Sequence, residues 1–245
     1  MSYSIIGKGT AIVLLHGSMI SNPWKGFEKE LAKYYKVYLP HLPGFGASEA
    51  VNNQIHNTEL FSEAFHLFIK NALLEKAPII AFSLGTIVAV KAISKGGING
   101  KLILIGMPLI ISSKKLKKAS LIPVWIKRIL GSTVWGRSKI LIPLLRDVIG
   151  AADKKRNTQL LKELETTDTH ALVDLDPYKE IELQMPRLLK KLGNEAIYIY
   201  GANDKLLKTS KNLIKNPIII KEAEHNVFRS QPKSTLNILR YHLKK

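Results

Sequence analysis

Three side chains lying far apart in the chain carry the chemical types needed to attack a carbonyl and move a proton. They are Ser83 in APIIAFSLGTIVAVKAI, Asp204 in IYIYGANDKLL and His225 in KEAEHNVF. A serine hydroxyl is a weak nucleophile until a base takes its proton, and the base works well only when a third group orients it. Singly, each residue has a plainer role. A serine between a strand and a helix is often just a helix N-cap, an Asp after Gly201 suits a turn, and a loop histidine usually sits on the surface. Context argues for more. Ser83 directly follows the apolar run 78–82 and opens a helical segment within A-x-S-x-G. Ala81 and Gly85 are small enough to let strand and helix crowd around a strained turn that exposes the hydroxyl. Asp204 and His225 also follow predicted strands, at the edge where open α/β sheets gather their ligands.

Acyl transfer also places negative charge on the carbonyl oxygen, which calls for N–H donors already aimed at it. In AIVLLHGSM, His16 and Gly17 end an apolar run, and Gly17 permits a tight turn there. The backbone N–H of Ser18, with Met19 as the alternative, can then join that of Leu84, the residue after Ser83. The plainer reading is an ordinary glycine turn. His56, His66, His170 and His242 have no partner pattern and read as structural.

The elements that position these residues follow from local pattern. Short β-branched runs at 10–15, 37–39, 78–82 and 102–105 alternate with amphipathic helical stretches at 23–35 and 58–74. That alternation predicts a parallel sheet with helices on both faces. After Gly106 the rhythm stops, and helical segments without a strand run to about Leu192. It resumes with strands at 196–200 and 217–220, a helix near 209–214, and a closing helix from Lys233. The expected architecture is an open, mostly parallel sheet built from 1–106 and 193–245, with 107–192 inserted as a helical lid.

Within the insertion, Trp125, Ile126, Ile129 and Leu130 form one apolar stripe, and Ile140, Leu141, Leu144, Leu145, Val148 and Ile149 form another. Trp125, Ile129, Leu141 and Leu145 are the expected roof of a substrate pocket, suited to an acyl or aromatic group. Residues 108–146 contain nine Lys and Arg and no Asp or Glu.

The chain has 245 residues and a net charge of +18, from 37 basic and 19 acidic side chains. Such a field attracts an anionic membrane surface or an acidic carrier protein, although lysine spread over a tolerant surface yields the same total. No nucleic-acid-binding motif accompanies the charge. With no cysteine, disulfides, thiolate nucleophiles and Cys-based metal sites are excluded, which fits a reducing cytoplasm. No secretion signal and no run of spanning length is evident, so a soluble protein is expected.

The segment YLPHLPGFGAS, with the HG loop, the Ser83 turn, YGxND and the final EH, resembles the α/β-hydrolase superfamily over nearly the whole chain outside the insertion. Three positions depart from its usual pattern: His41 for Asp, Ala81 for the first Gly of the turn, and Glu224 for the Gly before the histidine. The resemblance implies a serine hydrolase with Ser83 as nucleophile, His225 as base and Asp204 as orienting acid. It implies cleavage of a small or medium acyl ester through an acyl-enzyme, with no metal or organic cofactor. The alternatives are a thioesterase or acyl-carrier-linked methyl esterase, a C–C bond hydrolase, and a non-catalytic binding protein on the same fold.

Overall fold

The computed structural model describes residues 1–18, 21–24, 26–109, 118, 121–141, 164–165, 167–175, 185–192, 196–205 and 214–244. Seven strands form one sheet: β1 (Tyr3–Ile6), β2 (Ala11–Leu15), β3 (Lys36–Pro40), β4 (Ile79–Phe82), β5 (Leu102–Ile105), β6 (Ala196–Gly201) and β7 (Ile218–Ile220). Their spatial order is β1-β3-β2-β4-β5-β6-β7. β1 pairs antiparallel with β3, and every other pairing is parallel. β1 was not foreseen from the sequence. As an edge strand with Tyr3 and Ile5 exposed, it buries no face that would leave a strong pattern.

Both faces of the sheet are covered, and the period of two sorts the side chains between them. Val13, Leu15, Ile79, Ala81 and Leu104 point into the core shared with α2 (Thr58–Asn71) and α3 (Leu84–Ser94). Ile12, Leu14, Ile80, Phe82, Ile103 and Ile105 point into the other core. That core is shared with α1 (Phe27–Ala32), α8 (Val227–Ser230) and α9 (Pro232–Lys244). α2 begins where Asn57 Oδ1 accepts the Leu60 N–H, and it buries Phe61, Phe65, Phe68 and Ile69, as its spacing requires.

Between β5 and β6 the described elements are helical: α4 (Val124–Gly131), α5 (Val134–Gly136), a π-helical turn (Arg137–Leu141), α6 (Thr169–Val173) and α7 (Met185–Leu192). The helix expected near 209–214 and most of the stripe from Ile140 to Ile149 lie outside the described residues. Among the described residues, no helix is long and apolar enough to cross a membrane.

Candidate active site

The carboxyl ends of five parallel strands converge on one point. β4 delivers Ser83 at φ 51° and ψ −121°, in the turn that opens α3. A left-handed φ at a non-glycine residue costs about 1–3 kcal/mol and persists only where surrounding structure enforces it. Two glycines make that enforcement possible. A Cβ on Gly85 would stand 2.4 Å from the His16 carbonyl oxygen, and one on Gly17 would stand 2.9 Å from Ser83 Cβ. Strand, helix and the loop after β2 therefore pack backbone against backbone. Ser83 makes no side-chain capping bond to α3, so its hydroxyl is not serving as an N-cap. Instead, Ser83 Oγ lies 3.1 Å from His225 Nε2.

On its other side, His225 Nδ1 lies 2.9 Å from Asp204 Oδ2. The imidazole donates from Nδ1 to the carboxylate and accepts at Nε2 from the serine hydroxyl, the tautomer that lets Nε2 take a proton. Both Asp204 and His225 are buried, while Ser83 is half-buried. The two loops are drawn together by Gly201 at the end of β6, where a Cβ would fall 2.3 Å from the carbonyl oxygens of Ala223 and Glu224. Asn203 N–H donates to the Ala223 carbonyl at 2.8 Å, fastening the loop of Asp204 to that of His225. Behind the imidazole stands the Phe82 ring, centroids 5.1 Å apart, itself packed edge-on against Phe228.

His16 is fully buried, with its pKa lowered to about 4, mainly by burial. It is therefore neutral at ordinary pH. Nδ1–H donates to the Gly17 carbonyl at 2.7 Å, and Nε2 accepts from the Leu42 N–H at 3.0 Å. Because a trans peptide holds C=O and N–H antiparallel, this grip turns the Ser18 N–H away from His16. Leu84 is the first residue of α3, so its N–H has no partner within the helix. Met19, the alternative donor, lies outside the described residues.

An esterase from Thermogutta terrifontis matches this structure with a TM-score of 0.78 at 17% identity, over 99% of this chain and 92% of that one. An alpha/beta hydrolase fold protein from Burkholderia ambifaria matches with a TM-score of 0.75 at 14% identity, over 97% and 92% of the two chains. The chain has the α/β-hydrolase fold. No family model matches it. A pimeloyl-[acyl-carrier protein] methyl ester esterase of Aeromonas salmonicida is 34% identical over 92 residues, 36% of this chain. The match spans 35% of that relative's length.

In this α/β-hydrolase fold, His41 occupies the position where the superfamily commonly has Asp, and it closes the loop in its own way. Its ring, neutral because burial lowers its pKa, accepts the Ala47 N–H at Nδ1 over 3.0 Å and packs against Gly46. Ala81 is wholly buried within β4, and its φ is not left-handed, so a methyl fits where glycine is usual. Glu224 is exposed, and its N–H donates to Ser230 Oγ at 3.1 Å.

Of the residues expected over the site, Trp125 and Ile129 are 64% and 59% exposed. Arg128 of the same helix reaches the buried Asp174 carboxylate. The side chains of Leu141 and Leu145 lie outside the described residues. Gly106, after which the strand-and-helix rhythm stops, has φ +60° and lies directly against His225. Nothing local in the sequence reveals that contact.

His56, His170 and Asp174 bring ligand-type atoms within 4.8 Å of one another. His56 Nε2 accepts the Val51 N–H at 3.1 Å, which leaves the proton on Nδ1, a buried atom with no hydrogen-bond partner among the described residues. Arg128 holds both Asp174 oxygens at 2.8 Å, and the His56 backbone N–H adds a third bond at 3.1 Å. Burial alone would raise the Asp174 carboxyl. The Arg128 hydrogen bonds, the His56 N–H and the charges of Arg128 and His170 outweigh it, so the carboxyl is held below its usual range. A donor set with a protonated Nδ1 and an occupied carboxylate suits an ion-pair knot better than a cation.

Proposed function

We propose that this chain is a serine esterase acting in the cytoplasm on small or medium acyl esters, with Ser83, His225 and Asp204 as its catalytic triad. The observation that carries this reading is the unbroken hydrogen-bonded chain from Ser83 Oγ through His225 to Asp204. Ser83 Oγ attacks the ester carbonyl while His225 Nε2 takes its proton, and Asp204 stabilises the imidazolium. The backbone N–H groups of Leu84 and Ser18, the second oriented by His16, receive the oxyanion. His225 returns the proton to the leaving alcohol, then activates water to hydrolyse the acyl-enzyme. Residues 107–192 cover the site as a lid and set acyl-chain preference, and their acid-free basic stretch receives an anionic partner, either a membrane surface or an acidic carrier.

A panel of p-nitrophenyl esters of increasing acyl length tests the reading. Ser83→Ala is expected to lose at least about 10³-fold in kcat, and a fluorophosphonate should label the parent but not the variant. Equal turnover by both proteins removes the assignment. A second reading, hydrolysis of a methyl ester borne on an acyl carrier, is favoured by the 92-residue match to a protein named for that activity. Methanol release from carrier-bound acyl methyl esters, faster than from the free esters, distinguishes it.

A further inference from the structure

α4 leaves one edge of its apolar stripe, Trp125 and Ile129, in water, while Ile126 and Leu130 are half-buried. A helix on a water-soluble surface usually buries its apolar stripe and sends its charges to solvent. In α4 only Gly131 is buried, while Trp125 and Ile129 face water. Leu121 before the helix is 82% exposed, and Val134 and Trp135 after it are 65% and 62% exposed. Trp125 and Ile129 are four residues apart in α4 and so lie along one stripe. The guanidinium groups are engaged within the chain. Arg128 clasps the buried Asp174, and Arg137 donates to the Gly131 carbonyl at 2.6 Å, to Thr169 Oγ1 at 3.1 Å and to the Leu164 carbonyl. The lysines are left outside: Lys118 and Lys139 are exposed and Lys127 is half-buried.

We propose that this face is a docking surface for anionic lipid. Trp125, Trp135 and the neighbouring aliphatic side chains enter the interfacial region of the bilayer, while Lys118, Lys127 and Lys139 meet acidic headgroups. A second copy of this chain would set Lys118, Lys127 and Lys139 against their own counterparts, in a stretch, 108–146, that holds no acid to compensate. An acidic protein would draw on arginine for directed, two-pronged pairing, and the two arginines of α4 and the following turn are already engaged within the chain. Flexible lysines beside tryptophan suit a diffuse negative surface. The proposal deepens the esterase reading and rests on it only in one respect, that docking delivers lipophilic esters to Ser83.

The test follows partition onto phosphatidylcholine vesicles with and without phosphatidylglycerol, by cosedimentation and by tryptophan emission. Trp24 is buried in the core, so the emission that responds comes from Trp125 and Trp135. Cosedimentation and a blue shift are expected with phosphatidylglycerol at low salt, and release at high salt. Leu121→Ser with Trp135→Ser should reduce binding strongly, leaving Trp125 as the reporter. Lys127→Gln with Lys139→Gln should weaken it roughly 25-fold, at about fivefold per lysine. Unchanged melting and circular dichroism spectra establish that these variants are folded. Absence of partition, equal partition onto both vesicles, lipid-free dimerisation that shields Trp125, or capture by polyglutamate without vesicle binding overturns the proposal. Ser83→Ala should dock like the parent. Docking without ester turnover therefore refutes only the esterase reading, and turnover without docking refutes only this one.

Discussion

Replacing Gly106 by Ala tests whether the position of His225, rather than mere possession of the three side chains, governs turnover. The new methyl would stand 2.8 Å from His225 Cε1 and 3.0 Å from Nδ1, about 0.6 Å inside ordinary contact at the nearer atom. Gly106 ends β5 in a backbone tied to β6, where its N–H donates to the Ile199 carbonyl at 2.9 Å. The imidazole is the part able to yield. It is held by contacts of 2.9 Å to Asp204 and 3.1 Å to Ser83, so displacement stretches or tilts one of them. A misplacement of about 1 Å costs on the order of 10²-fold, so a shift of this size should lower kcat about 10- to 100-fold with KM little changed. The left-handed φ of +60° adds a separate stability cost of about 1–2 kcal/mol. Gly96→Ala isolates that cost, because Gly96 has φ +87° and nothing within 4 Å of the added Cβ. Kinetics on p-nitrophenyl butyrate and thermal melts of both variants separate the two effects. Similar losses of stability with kcat reduced only in Gly106→Ala are expected. Should the two variants turn over alike, the positional argument fails.

Two further predictions concern stability. His16 is neutral in the folded state, with a pKa lowered from 6.5 to about 4, so between those values the unfolded chain binds a proton that the folded chain refuses. Stability contributed by His16 is therefore full above about pH 6.5 and falls by about 3 kcal/mol as pH drops to about 4. Melting of the parent and His16→Asn across that range should show a weaker pH dependence in the variant, and parallel curves would refute the assignment. Arg128→Met leaves the buried Asp174 carboxylate without its ion-pair partner and should cost about 2–3 kcal/mol at neutral pH. A buried carboxyl without that partner prefers its proton, so the deficit should narrow as pH falls below the carboxylate range. Denaturant unfolding at several pH values checks this.

Much of the fold was legible because it rests on short-range signals. β-branched runs alternating with helical stripes indicate parallel strands, and a small-residue turn around Ser83 marks where a strand hands over to a helix. The segment around Ser83, taken alone, suits either a nucleophile or an N-cap, since both occupy the same junction. What separates them is the missing cap bond and the 3.1 Å approach of His225, 142 residues away in the chain. Gly106 was opaque for the same reason: the groups its Cβ would meet come from two other loops.

The orientation of α4 shows most clearly where periodicity stops being informative. Spacing identifies Trp125 and Ile129 as one stripe, but a helical period is unchanged when the helix is rotated half a turn about its axis. The usual assumption, that the apolar side faces the core, yields the expected roof over the site. In the structure Arg128 reaches Asp174, 46 residues further along the chain, while Trp125 and Ile129 stay exposed. Burying an ionised carboxylate without a partner costs several kcal/mol, whereas exposing a partly buried tryptophan and isoleucine costs about 25 cal/mol per Å² of apolar surface returned to water. The two contributions are of similar size, so the ion pair offsets the cost of leaving Trp125 and Ile129 in water. A charge that looks like ordinary surface lysine-and-arginine decoration in the sequence thus anchors α4 to a buried carboxylate that its apolar spacing does not mark.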